Sequence, residues 1–192
     1  MIKKVVISLL LLVCCVKQER QSLEDSKLVI SIFNNAEISE LEIILDFFDQ
    51  QISNEFKSES ISESYILFYK KSKELLSKGQ LYIGFSTEKQ ELMIEDLDEY
   101  FLEEIWNKGK SFRDKDTIDI LTLRVDGKYA KFLELLGEKN KEVKKYKEDL
   151  IFNYDITPEQ SYFFINYFDT LDLNKDAIRL VIAIHYLTLN SS

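Results

Sequence analysis

The stretch "AIRLVIAIHYLTL", residues 177–189, decides how the rest of the chain is read. It is apolar nearly all round, with Arg179 and His185 as its only basic residues and no acidic one. A helix with no polar face has to be buried on every side, so these residues predict a central helix wrapped by others. The other segments supply the wrapping. Leu41, Ile44, Leu45, Phe48 and Ile52 fall at the spacing of one helical stripe, and Tyr65, Phe68, Tyr69 and Leu76 form a second. Ile94, Leu97, Phe101 and Ile105 form a third. Tyr129, Phe132, Leu133 and Leu136 form a fourth, with Asp126 as the expected cap and Gly137 as the expected end. Val143, Tyr146 and Leu150 make a weaker fifth, and Phe164, Tyr167, Phe168 and Leu171 a sixth.

Two boundaries carry capping-box patterns. "TEKQ" (87–90) and "TPEQ" (157–160) each place Thr at the cap and Gln three residues on, and Pro158 adds a first-turn proline. "GQLYIGF" (79–85) is the main non-helical connection, and with "IDILTL" (118–123) it is expected to form a short strand pair. The expected fold is mainly α, a compact bundle of six or seven helices with a possible short two-stranded element. Composition agrees. The chain has 192 residues, 45% of them hydrophobic, with 13 Phe and 10 Tyr to fill a core. Only 5 Gly and 1 Pro are present, too few for the many turns of a sandwich or barrel or for a glycine-rich phosphate loop. The formal net charge of −9 repels nucleic-acid phosphates, so no nucleic-acid partner is expected.

The amino terminus reads as a leader. Lys3 and Lys4 precede a nine-residue apolar stretch, Val5 to Val13, broken only by Ser8. That is about half of the ~20 residues a membrane-spanning helix requires, and it fits the apolar core of a secretory signal. It stops at Cys14 and Cys15, the only cysteines, and polar residues follow. The stretch resembles a bacterial lipoprotein signal, in which the peptidase cuts before a cysteine that carries diacylglycerol. The resemblance implies Cys15 as the lipidated residue, with Leu12 at −3 and Cys14 at −1; Cys14 is the alternative, but it would put β-branched Val13 at −1. An ordinary secretory signal, or a buried amino-terminal helix with inert cysteines, is the competing reading. Cleavage before Cys15 removes Lys3 and Lys4, which leaves 23 bases against 34 acids, a net charge of −11. The expected division is a signal peptide at 1–14, a polar tether at 15–27 and one helical domain at 28–192.

The remaining candidates are surface charges and single residues. Between Glu88 and Glu104 lie eight acids and one base, Lys89; Glu95, Glu99 and Glu103 recur at i, i+4. Such a row could serve as a carboxylate site, but the solvated face of an amphipathic helix gives the same pattern. Lys139, Lys141, Lys144, Lys145 and Lys147 make a basic counterpart. It suits an exposed helix face, an anionic membrane or the acidic helix of another copy, and it lacks the arginines of a nucleic-acid site. "DLNKDA" (172–177) opens like a calcium loop, yet Ala177 stands where glycine must turn the chain and Ala183 where a bidentate glutamate must close it. It is expected to be a helix start, with Asn174 as cap and Asp176 against the dipole. His185, the single histidine, lacks a second metal ligand or a nucleophile and is expected in the core. No cofactor and no metal are expected.

"DGKYAKFL" (126–133) and "DAIRLVIAIHYLTLN" (176–190) make residues 116–190 similar to uncharacterised lipoproteins and secreted proteins of the Bacteroidota. That resemblance brings no activity and no functional residues. It implies a bacterial envelope protein, lipid-anchored to the inner or outer membrane and facing the periplasm or the cell surface. The function expected is non-enzymatic protein contact, in envelope assembly or as an immunity-type protein. The surface offered for it is Glu95, Glu99, Glu103, Lys141, Lys144 and Lys145. The alternatives are a carboxylate-dependent envelope enzyme and a carrier of small apolar ligands.

Overall fold

The computed structural model describes residues 22–24, 26–113 and 116–191. The order of elements is α1 (Lys27–Ile30), α2 (Asn35–Phe56), α3 (Ile61–Leu76), α4 (Thr87–Glu95), α5 (Glu99–Leu102), β1 (Trp106–Arg113), β2 (Asp116–Leu123), α6 (Lys128–Gly137), α7 (Lys141–Asn153), α8 (Phe163–Tyr167) and α9 (Asp176–Asn190). The fold is mainly α with one short antiparallel strand pair. Short 3₁₀ turns, Gln160–Tyr162 and Phe168–Thr170, flank α8.

α9 runs through the centre, and every residue from Ile178 to Thr188 is buried. Around it, α2 contributes Leu41, Ile44, Leu45, Phe48 and Ile52, and α3 contributes Tyr65, Phe68 and Tyr69, all buried as the spacing predicts. Aromatic rings make the contacts: Tyr186 of α9 stacks on Phe48 at 5.9 Å between centroids and meets Phe68 edge-on at 5.0 Å. The opposite side is closed by α7 and α8, where Tyr146 and Phe164 enclose His185.

Burial of α9 forces its polar groups to find partners among the packed helices. Arg179 is fully buried. Its Nε lies 3.3 Å from both Asp49 carboxylate oxygens, its Nη1 donates to Leu173 O at 2.8 Å, and its Nη2 donates to Asp176 Oδ1 at 2.6 Å. Tyr65 adds a hydroxyl donated to Asp49 Oδ1 at 2.8 Å. One guanidinium thus joins α2, α3 and the first turn of α9. At the other end, Trp106 Nε1 donates to Thr188 Oγ1 at 2.8 Å, and Leu121 N donates to Ser191 Oγ at 3.1 Å, which fixes the base of the hairpin. Gln90 of α4 reaches in with Nε2 to Leu187 O at 2.8 Å.

Several expectations shift. The third stripe is not one helix: α4 ends at Glu95, α5 begins at Glu99, and Ile105 precedes β1. Leu97 and Phe101 are still buried, so the apolar pattern holds while the backbone turns between them. Residues 118–123 do form a strand, but their partner is β1, paired from Trp106↔Leu123 to Arg113↔Asp116. Residues 79–85 lie instead as an irregular strap. The cap of α4 is Ser86, not Thr87, because Gln90 points into the core and cannot fold back. The second capping box is made in full, with Gln160 N to Thr157 Oγ1 and Thr157 N to Gln160 Oε1 both at 3.2 Å, and it opens a 3₁₀ turn. Asp126 does not cap α6, for it pairs with Arg124 at 2.8 Å. Glu104 takes that role: its Oε2 accepts from Lys128 N and its carbonyl from Tyr129 N, both at 3.1 Å. Asn174 does not cap α9 either; it accepts from Ser62 Oγ at 2.9 Å. The packed body also reaches nearer the amino terminus than residue 28, since Leu23 is buried and Ser26 caps α1. The leader and most of the tether lie outside the described residues.

Two substitutions test this packing. Arg179→Met leaves Asp49 and Asp176 buried without their cation, and removal of one partner of such a set costs about 3–5 kcal/mol; urea unfolding is expected to show a loss of that order, with the slope unchanged. Gly127→Ala places a Cβ 2.4 Å from Glu104 O, inside the contact that starts α6. It is expected to cost roughly 1–3 kcal/mol in the same assay.

Candidate functional site

The acidic row does not assemble a site. The backbone turn at Asp96–Asp98 separates Glu95, at the end of α4, from Glu99, at the start of α5, and Glu103 follows as the cap of α5. All three are exposed. Glu99 approaches Lys108 of β1 at 3.7 Å, with both side chains more than half exposed, and the Glu103 carbonyl accepts from Arg124 Nη1 at 2.9 Å. Glu104 is spent on the start of α6. The carboxylates of Glu99 and Glu104 therefore turn to different neighbours.

The basic stretch forms α7, with Val143, Tyr146 and Leu150 buried against the body. Its lysines face outward and are laced with acids on the same helix. Lys145 meets Asp149 at 2.8 Å, Lys144 meets Glu148 at 3.9 Å, and Lys141 meets Glu142 at 3.6 Å. Exposed pairs of this kind contribute little to stability. They also cancel much of the positive charge, so the patch is close to neutral as a surface. Where α7 packs on α6, Gly137 lets the helices approach, since a Cβ there would sit 2.9 Å from Lys144 Cα. Beside that crossing lies a groove of about 250 Å³ bordered by Leu133, Glu134, Glu138, Lys144, Lys147 and Glu148. Its lining mixes both charge signs around one leucine, with no buried polar group to orient a ligand.

His185 lies in the core as its apolar surroundings suggest. It is fully buried, and its Nδ1 shares a hydrogen bond with the Tyr146 hydroxyl at 3.1 Å. Burial pushes its pKa down to about 3, against a smaller upward pull from the Ser161 backbone. Burial likewise holds the Tyr146 hydroxyl far above its ordinary range. The imidazole and the phenol are packed among the rings of Phe163, Phe164 and Tyr186, on the inner side of α7 and α8.

The buried Asp49–Arg179–Asp176–Tyr65 set is the most concentrated polar cluster described. The sequence carries a signal for it: an arginine inside an apolar run of this length needs carboxylates from elsewhere in the chain. Burial opposes its charge, but Asp49, Tyr65 and Asp176 together hold the Arg179 pKa above its ordinary value. Burial and the Asp49 carboxylate hold the Tyr65 hydroxyl well above its own. Perturbed groups often mark active sites, but here each faces a packed helix, and the cluster acts as a structural tie.

In "DLNKDA", Asp176 turns inward to Arg179 and Asp172 meets Lys175 at 3.4 Å, so the loop-like carboxylates diverge. Among the described residues, no group of three or more His, Cys, Asp and Glu is placed to hold a metal ion. No described helix is long and apolar enough to cross a membrane. Cys15 and Cys14 lie outside the described residues. No protein-family model matches the chain, no curated protein matches its sequence, and no solved structure matches its fold.

The histidine generates a pH test. Its folded pKa is depressed below the unfolded value of about 6.5, so the unfolded chain takes up the proton first as pH falls. Stability from this residue is complete above pH 6.5 and declines toward pH 3, by up to about 1.4 kcal/mol per pH unit. Urea midpoints measured from pH 7 to pH 4 are expected to fall less steeply in His185→Gln than in the parent. Equal slopes would mean that the imidazole is hydrated in the folded state.

Proposed function

We propose that this chain is a lipid-anchored contact module of a bacterial envelope, held by acyl chains on Cys15 and acting through its exposed side chains on another protein. The observation that carries the reading is the division of labour among the polar groups. The perturbed, buried ones tie helices together, and the carboxylates of an enzyme-like row are scattered over the surface without a shared cleft. A carboxylate enzyme would need Glu95, Glu99 and Glu103 to converge.

The surface offers contact groups of another kind. Tyr100, Phe152 and Tyr154 are 83%, 84% and 73% exposed, and Tyr154 closes α7 in a left-handed conformation, φ 59°. A bulky aromatic at positive φ is strained and rare, and large exposed rings are the side chains most used as interface anchors. Glu99 adjoins Tyr100 in the chain and the lysines of α7 precede Phe152 and Tyr154, so each ring has charged neighbours of the kind found at an interface rim.

The leader supports the anchor. Its apolar stretch is too short to span a bilayer, and a single acyl chain binds a membrane only marginally, so a multiply acylated cysteine is the chemistry that would hold the body there. The seven residues between Cys15 and the buried Leu23 would keep that body within about 30 Å of the lipid, at ~3.6 Å per residue.

Intact-mass analysis of natively expressed protein is expected to show loss of residues 1–14 and an acylated cysteine at position 15. Retention of Met1, or free thiols at both 14 and 15, would overturn the anchor. Pull-down of the anchored protein from its own membranes is expected to recover a protein partner. The triple change Tyr100→Ser, Phe152→Ser, Tyr154→Ser is expected to lose it at unchanged helical content.

A further inference from the structure

β1 and β2 form a two-stranded ribbon whose edges differ. Leu121, the register partner of Lys108, donates its N–H to Ser191 Oγ at 3.1 Å, so that N–H points away from β1. One step below Trp106↔Leu123, Arg124 N donates to Ile105 O at 2.8 Å. Antiparallel partners alternate between pairs that exchange hydrogen bonds and pairs that do not. Asn107↔Thr122 and Gly109↔Ile120 are therefore the bonded pairs, and the main-chain groups of Trp106, Lys108 and Lys110 face outward from β1. On β2 the outer edge is occupied by Ser191, whose Oγ also lies 3.5 Å from Leu121 O. On β1, among the described residues, no other backbone group reaches the outward N–H and C=O of Trp106 or Lys108.

The side chains of that edge have a definite chemistry. Trp106 is buried at the base, and beyond it Asn107, Lys108 and Lys110 are exposed. Residues two apart share a face, so Lys108 and Lys110 stand on one side of the strand and Gly109 on the other. Lys108 approaches Glu99 of α5 at 3.7 Å, and Tyr100, the exposed ring, is the next residue of α5. A Cβ on Gly109 would meet Ile120 alone, at 3.5 Å from its Cγ1, which makes Gly109 an open notch beside that side chain. An isolated two-stranded ribbon is marginal in water, and an open edge is a template for another strand. Pairing with the same edge of a second copy would bring lysines together, whereas carboxylates on the added strand would meet opposite charge.

We propose that the outer edge of β1, from Trp106 to Lys110, is where the partner protein adds an antiparallel strand, and that this strand alternates acidic, aromatic, acidic. Its two acidic residues exchange main-chain hydrogen bonds with Lys108 and Lys110 and set their carboxylates beside the two ammonium groups. Its ring lies over Gly109 against Ile120, where the missing side chain leaves room for it. The proposal rests on the contact-module reading and gives that module the chemistry of one partner segment.

The probe is a fluorescent peptide with a Thr-Glu-Phe-Glu-Thr core, titrated onto the full chain in nanodiscs and read by anisotropy. N-methylation of the two Glu amides, which face β1 in this register, is expected to weaken binding at least tenfold, and N-methylation of the Phe amide, which faces away, to leave it unchanged. That comparison alters only the peptide and so does not depend on any variant folding. Lys108→Glu is expected to weaken the peptide at least tenfold, and Glu99→Gln, which releases Lys108, to tighten it. Three results would overturn the proposal. One is failure of the parent to bind the peptide at millimolar concentration. Another is equal binding of the two methylated forms, which would reduce the contact to charge alone. The third is self-association of the parent that the peptide reverses, which would assign the edge to a second copy. A membrane partner captured equally well by Lys108→Glu would leave the contact module standing and remove β1 from it.

Discussion

A helix without a solvent-facing side imposes its needs on everything around it. α9 buries Arg179, His185, Tyr186 and Thr188 along with its aliphatic residues. Each buried polar atom left unpaired has a desolvation cost of about 1–3 kcal/mol, more for a charge. The neighbours are arranged accordingly. α2 and α3 bring Asp49 and Tyr65 to Arg179, α7 brings the Tyr146 hydroxyl to His185, and the hairpin brings the indole of Trp106 to Thr188. Satisfaction is incomplete: among the described residues, the buried hydroxyls of Tyr69 and Tyr129 have no hydrogen-bond partner. The core is dense in rings, and the ring contacts that fill it leave few places for another polar atom.

Much of this was legible from residues alone, and the reason is periodicity. Stripes such as Leu41–Ile52 and Tyr65–Leu76 are long enough for the 3.6-residue repeat to be unambiguous, and the all-round apolarity of residues 177–189 has one physical solution. Short elements were less visible. α5 has four residues and α8 five, so the stripes that cover them, Ile94 to Ile105 and Phe164 to Leu171, run past the ends of the helices. The apolar spacing of Ile94, Leu97, Phe101 and Ile105 is compatible with a continuous helix, although the chain turns at Asp96–Asp98. Strand pairing was misassigned because "LYIGF" has the higher β propensity, whereas "WNKGKSFR" is rich in lysine and polar residues that gave no strand signal. Caps were shifted by tertiary demands on the same side chains: Gln90 is drawn to α9 and Asn174 to Ser62 of α3 instead of to their own helix ends.

The site-level reading fared according to whether it depended on local or distant residues. That His185 sits in the core follows from its immediate neighbours. The carboxylate row depended on a single straight helix and dissolves with it. The cluster at Arg179 was out of reach because Asp49, 130 residues away, looks like any other acid on a helix. What remains on the surface is charge of both signs, largely paired within α7, and three exposed aromatic rings. Those are contact chemistries. They support the contact function proposed for this chain.

If α9 is the centre on which the other helices depend, its amides should be the last to meet solvent. Native-state hydrogen exchange at increasing denaturant is the direct measurement. The amides of residues 180–188 are expected to exchange only through global unfolding, with one common free energy equal to that from urea melts and shared by the inner face of α2. Exchange of α9 through a smaller opening, while α2, α3 or α7 stays protected, would contradict the central role given to it here.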